Sequence, residues 1–90
     1  MTEQLVLSGQ VRYRNIGGEG VVVQVEQGRV LVVNGMGLTV LGLLERPRTR
    51  DWLLEEILRR YEVDRDRAER DLTAFLQGLD REGILDRRGP

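Results

Sequence analysis

The sequence predicts an α+β fold: a three-stranded antiparallel sheet followed by three helices, in winged helix-turn-helix-like order. Three observations lead to this prediction. Between residues 11 and 33 the apolar residues alternate or gather in short valine-rich runs, the pattern of strands. From residue 34 onward their spacing changes to three and four, the pattern of helices. Turn and breaker residues separate the segments: "GGEG", Gln27-Gly28, "RPRT" and Gly83.

The elements follow in order. Residues 1–10 are mixed in composition and are expected to be only partly ordered. In "QVRYRNI", Val11, Tyr13 and Asn15 alternate with Arg12, Arg14 and Ile16, as in a half-buried strand. "GGEG" is a turn. The stretch from Gly18 to Gly35, "GEGVVVQVEQGRVLVVNG", reads as a hairpin. With Gln27-Gly28 as a two-residue loop, Glu26 opposes Arg29, Val25 opposes Val30, and Val23 opposes Val32. One face then carries Val21, Val23, Val25, Val30 and Val32. The other carries Val22, Gln24, Glu26, Arg29, Leu31 and Val33. The all-valine face is expected to turn to the core, with Glu26 and Arg29 as a cross-strand ion pair.

Asn34 is placed to cap the first helix. That helix, "GMGLTVLGLLE", is apolar nearly all round and is expected to be short and buried. Gly37 and Gly42 each cost about 1 kcal/mol of helix propensity against alanine, which suggests close packing there. "RPRT" stops the helix and Thr49 starts the next, whose Leu54, Ile57, Leu58 and Tyr61 share a face. Asp64 caps the third helix, with Ala68, Leu72, Phe75, Leu76 and Leu79 as its apolar stripe. Gly83 ends it, and Ile84-Leu85 are expected to return to the core. The last two helices form a helix-turn-helix element.

Ninety residues suit one domain spanning 1–90. There is no cysteine and no histidine, so thiolate chemistry and the usual general base are missing. Ser8 is the sole serine, and all 14 basic residues are arginine, so no lysine is available for a Schiff base. No enzyme activity, cofactor or metal site is expected. The N-terminus lacks the basic region of a signal peptide, and no apolar run approaches the ~20 residues of a membrane span. A soluble cytoplasmic protein with no membrane partner is the expectation. Nucleic acid is disfavoured as well. The segment 64–83 holds four arginines against six carboxylates, a net −2 that repels phosphate. The pure valine hairpin leaves one further question, since its second strand has a free apolar edge.

From Gly20 onward the chain resembles the PqqD-like family of domains that bind leader peptides of ribosomally made, modified peptides. The resemblance rests on "GEGVVVQ", "GRVLVVN", "LGLLERPRT", "LLEEILRRYEVDRDRAERDLTAFL" and "LDREGIL", in that order, with the Val63-Asp64, Ala68, Asp71, Phe75-Leu76 spacing. It implies that a leader adds as a strand to the third β-strand, about 29–34, in a groove beside the third helix, about 64–82. The implied contacts are Val30, Leu31, Val32 and Val33 on the strand, and Arg67, Arg70, Asp71, Ala74 and Phe75 on the helix. The chain is most similar to the stand-alone leader-binding proteins of lasso-peptide biosynthesis. Its implied partners are the precursor leader, a leader peptidase and the macrocycle-forming enzyme. The counterpart in pyrroloquinoline quinone synthesis is the alternative within the family, and a winged-helix DNA-binding protein is the alternative outside it. The chain is expected as a monomer or as a homodimer paired through the same edge.

Overall fold

The computed structural model describes residues 2–89; Met1 and Pro90, the ends of the expected 1–90 span, lie outside the described residues. The elements are β1 (Gln4–Leu7), β2 (Val11–Ile16), β3 (Glu19–Gln24), β4 (Arg29–Val33), α1 (Gly35–Leu43), β5 (Arg48–Thr49), α2 (Arg50–Arg60), α3 (Arg65–Arg81) and β6 (Leu85–Arg88). The expected antiparallel sheet is β2-β3-β4, and the three helices follow it. A second small sheet, in the order β5-β1-β6, is added to that plan.

The second sheet orders Gln4–Leu7, the segment with the weakest signal in the sequence. β1 is its central strand and pairs antiparallel with β6 along four residues and with β5 along two. Leu5 and Val6 are buried, and so are Ile84 and Leu85, which return to the core as expected. Such short strands are too brief to announce themselves by periodicity. Pairing with segments more than forty residues away makes them strands.

All three expected helix caps are present. Asn34 Oδ1 accepts the Gly37 N–H at 2.8 Å, Thr49 Oγ1 accepts that of Trp52 at 3.1 Å, and Asp64 Oδ1 accepts that of Arg67 at 2.9 Å. Each satisfies an orphan donor and contributes about 1 kcal/mol. α1 packs on β3 and β4, and α2 packs on α3. Val22, Val33, Val40, Leu41, Leu44, Leu53, Ile57, Leu72, Leu79 and Ile84 lie in the core between them.

The two hairpins of the first sheet differ. Ile16 and Glu19 close the first over Gly17-Gly18, whose φ values of 63° and 90° suit a type I′ turn. Gln24 and Arg29 close the second over four residues, 25–28, rather than the two expected. The buried Gln24 drives this. Its Oε1 accepts the Gln27 N–H at 2.7 Å and builds the turn from a side chain. Val23 therefore opposes Val30, and Val21 opposes Val32. Arg29 pairs with Glu82 at 2.8 Å, and the expected Glu26–Arg29 pair does not form.

A register shift of two leaves each side chain on its original face. The faces read from the sequence are therefore right, but their inside and outside are reversed. Val22, Gln24 and Val33 face the core, while Val30 and Val32 are 65% and 60% exposed. Gly20 shows why. It lies on the inner face, where an added Cβ would come within 2.7 Å of Val33 Cγ2 and 3.1 Å of Leu38 Cδ1. The packing of α1 on the sheet at this point thus needs a glycine, and the buried side-chain carbonyl of Gln24 has its partner in the turn. Neither fact registers in a hydrophobicity count.

Candidate functional site

β4 is an edge strand of its sheet. The direction of its backbone groups follows from one hydrogen bond on the far side of β3. Val25 N–H donates to Gln10 O at 2.8 Å, toward β2. Along an antiparallel strand the backbone groups alternate sides. Val23 and Val21 therefore turn toward β2, and Gln24, Val22 and Gly20 toward β4. The hydrogen-bonded partners across β3 and β4 are then Gln24 with Arg29, Val22 with Leu31, and Gly20 with Val33. Val30 and Val32 are left with N–H and C=O pointing out of the open edge.

The other edge of the sheet, β2, carries Arg12 and Arg14. Charged side chains on an edge strand discourage pairing with other chains. In β4, "RVLVV", no charge follows Arg29. One edge of this sheet is guarded and the other is not.

Beside the unguarded edge lies α3, and between them runs a groove of about 370 Å³. Leu31 and Val33 line it from the strand; Ala74, Phe75, Gly78 and Leu79 line it from the helix. Arg81 and Glu82 stand at one end, where Arg29 holds Glu82. At the other end a recess of about 330 Å³, bordered by Met36, Gly37 and Asp71, shares Asn34, Ala74 and Phe75 with the groove. The walls are fixed by packing. Leu79 and Val33 are buried, and Phe75 packs against the core from its margin.

Gly37 fixes the position of Phe75. A Cβ at residue 37 would stand 2.9 Å from Phe75 Cε1 and 3.0 Å from Val33 Cβ. Gly37→Ala is therefore expected to lower Tm even though alanine favours the helix by about 1 kcal/mol. Thermal unfolding checks this, and a rise in Tm would mean that the ring moves aside freely.

The nine residues expected at the site divide. Leu31, Val32, Val33, Ala74 and Phe75 line the groove, with the side chain of Val32 at its outer rim. Asp71 borders the adjoining recess. Val30 contributes edge backbone, and its side chain points to the outer face. Arg67 lines neither the groove nor the recess and pairs with Asp71 at 3.7 Å. Arg70 lines a neighbouring polar hollow, which meets the groove at Ala74 and which Arg50 bridges by donating to Glu69 and Thr73. The groove residues outside the expected set of contacts are Gly78, Leu79, Arg81 and Glu82, together with Asn34 at the end of the expected strand segment 29–34. A helical step of four from Ala74 and Phe75 gives Gly78 and Leu79, so the spacing could have found them. β4 runs beside the C-terminal half of α3, whereas the expected set extended toward its N-terminus.

The groove offers apolar surface and backbone hydrogen bonds, with Arg81 and Glu82 at one end. The groups with displaced pKa values lie elsewhere. The Tyr13 hydroxyl is raised by burial and then by Glu45. On α2, the hydrogen bond from Arg59 holds the Glu56 carboxyl below its ordinary range, opposed by desolvation and assisted by Arg60. Among the described residues, no group of three or more carboxylates is placed to hold a metal ion. Among the same residues, no helix is long and apolar enough to cross a membrane.

Comparison with known proteins adds to this geometry. A structure described as TbiB1 in complex with the TbiA(β) leader peptide is similar at 28% identity and a TM-score of 0.81, over 90% of this chain and 94% of that one. A second, lasso peptide synthetase B1 complexed with the leader peptide, shares the fold at 20% identity and a TM-score of 0.76, over 91% of this chain and 96% of that one. No curated protein matches. The family described as coenzyme PQQ synthesis protein D (PqqD) matches residues 19–85, from the first residue of β3 to the first of β6. That span holds both walls of the groove, and the chain belongs to the PqqD family.

Proposed function

We propose that this protein is a non-catalytic carrier for the leader peptide of a ribosomally made precursor, which it delivers to a leader peptidase in lasso-peptide biosynthesis. One observation carries the proposal: an edge strand with outward backbone groups at Val30 and Val32 borders an apolar groove along α3. An added strand would take affinity from main-chain hydrogen bonds and specificity from pockets for alternate side chains. Ordering a disordered leader costs roughly 2–5 kcal/mol. The strand hydrogen bonds largely replace bonds to water, at about 1 kcal/mol net each. Apolar side chains buried against Leu31, Val33, Phe75 and Leu79 must therefore offset most of that cost. The two similar structures, each holding a leader peptide, support the choice of ligand and of pathway over pyrroloquinoline quinone synthesis.

The test is an amide NMR titration of the labelled protein with a synthetic leader from the precursor encoded with it, then with a mixed-sequence DNA duplex. Leader is expected to shift Arg29–Asn34 and the 71–82 stretch, and DNA to shift nothing. Shifts along α2 and α3 with DNA alone would overturn the carrier reading in favour of a winged-helix DNA-binding protein. Salt separates the two as well. Leader affinity is expected to change by no more than about threefold between low and high salt, because apolar and main-chain contacts are weakly screened. A DNA site with several phosphate contacts loses roughly a thousandfold or more over a similar range.

A further inference from the structure

Arg81 and Glu82 are the charged residues that line the groove. The Glu82 carboxylate is already held, by Arg29 at 2.8 Å. The Arg81 guanidinium has no ion pair among the described residues, and the local sequence explains why. On a helix, side-chain partners stand three or four residues away. For Arg81 these positions are Gln77 and Gly78 on one side and, past the end of α3, the buried Ile84 and Leu85 on the other. The adjacent Asp80 is taken by Arg87 at 3.2 Å. Arg70 also lacks an ion pair, but it shares its hollow with Asp64, Asp66 and Glu69. Arg81 instead stands exposed at the end of an apolar groove, with both carboxylates beside it in sequence held by other arginines. As a cation in the last turn of α3 it also complements the helix dipole, which bears on stability.

We infer, on the carrier reading above, that Arg81 is a specificity-determining residue of the groove and that it takes the carboxylate of an aspartate or glutamate in the leader. A leader strand added to β4 runs between that strand and α3, so it passes Phe75 and Arg81 in turn. The two stand six residues apart on α3, about 9 Å along the helix axis. An extended chain covers that distance in about three residues. The acidic side chain therefore belongs about three residues from the apolar side chain that packs on Phe75. The guanidinium fork can donate two parallel N–H bonds to one carboxylate. Because Arg29 occupies Glu82, the leader carboxylate meets a positive charge rather than a neutral pair. The site is exposed, so the pair adds little affinity and acts chiefly in discrimination. A neutral residue there leaves Arg81 hydrated, whereas a lysine or arginine meets like charge and is rejected.

The probe is a synthetic leader from the precursor encoded with this protein, titrated by calorimetry against the parent, Arg81→Glu and Arg88→Glu. The last makes the same change in net charge on β6, in the other sheet. Arg81→Glu is expected to lose about tenfold in leader affinity, since attraction turns into repulsion, and less at high salt. Arg88→Glu is expected to stay within about twofold of the parent. Each acidic residue of the leader is then replaced singly by lysine. One such leader is expected to bind the parent more weakly and to restore at least about fivefold in affinity for Arg81→Glu. Its lysine should lie about three residues from the apolar anchor. A role confined to the helix end would lower Tm instead, with no leader able to compensate. Unchanged leader affinity in Arg81→Glu, or a loss that no substituted leader restores, would overturn Arg81 as the reader of a carboxylate while leaving the carrier reading intact. A parent that does not bind leader at all overturns the carrier reading itself.

Discussion

Val32→Pro is expected to weaken leader binding roughly 100-fold while the protein stays folded. The two halves of this expectation have separate causes. The Val32 N–H points out of the sheet, so proline removes no bond between β3 and β4. Proline is tolerated in an edge strand where its nitrogen faces solvent, and it asks only that the preceding Leu31 stay extended, as it already is. The valine side chain it replaces is mostly exposed, so little burial is lost. Binding is another matter. The leader loses one donor, worth about 1 kcal/mol net, and its own carbonyl is left facing the ring, at about 1–3 kcal/mol. Together these approach 3 kcal/mol, or about two decades in Kd. Calorimetric titration of a folded variant gives the answer. Unchanged affinity would exclude strand addition at this edge.

The same strand shows where the sequence was legible and where it was not. Local chemistry read well. Asn34, Thr49 and Asp64 each cap a helix, and Gly83 follows the last one with φ +70°, because a cap depends on residues within three or four positions. The strand-then-helix plan followed from periodicity. Non-local choices did not. Which face of the hairpin turned inward was decided by Gly20 beneath α1 and by Gln24 in its own turn. Counting valines chose the opposite face. The N-terminal strand exists only because β6 and β5 flank it. For the groove, the sequence gives the helix flank by its step of three or four, but the turn at which β4 passes is a tertiary fact. That is why Ala74 and Phe75 were placed at the groove and Gly78 was missed.

Gly78 separates binding from stability most sharply, because Gly78→Leu is expected to move the two in opposite directions. Glycine inside a helix costs about 1 kcal/mol against a good helix former. A Cβ built at residue 78 has nothing within 4 Å, so the branch starts in open space, and at a groove-lining position it extends into the groove. For a domain of this size, 1 kcal/mol raises Tm by about 4–8 °C. The same leucine occupies space that a leader side chain needs, and displacing one apolar side chain forfeits about 1.5–3 kcal/mol of burial. Affinity for leader should therefore fall roughly 10- to 100-fold in a more stable protein. Gln77→Leu is the control, one residue earlier and on the flank with Arg70, facing the polar hollow. It should leave the affinity unchanged. A parallel loss in both variants would mean that leucine on α3 disturbs the fold in general. A loss at residue 78 alone, together with a higher Tm, can come only from steric exclusion in the groove, since no folding defect raises Tm.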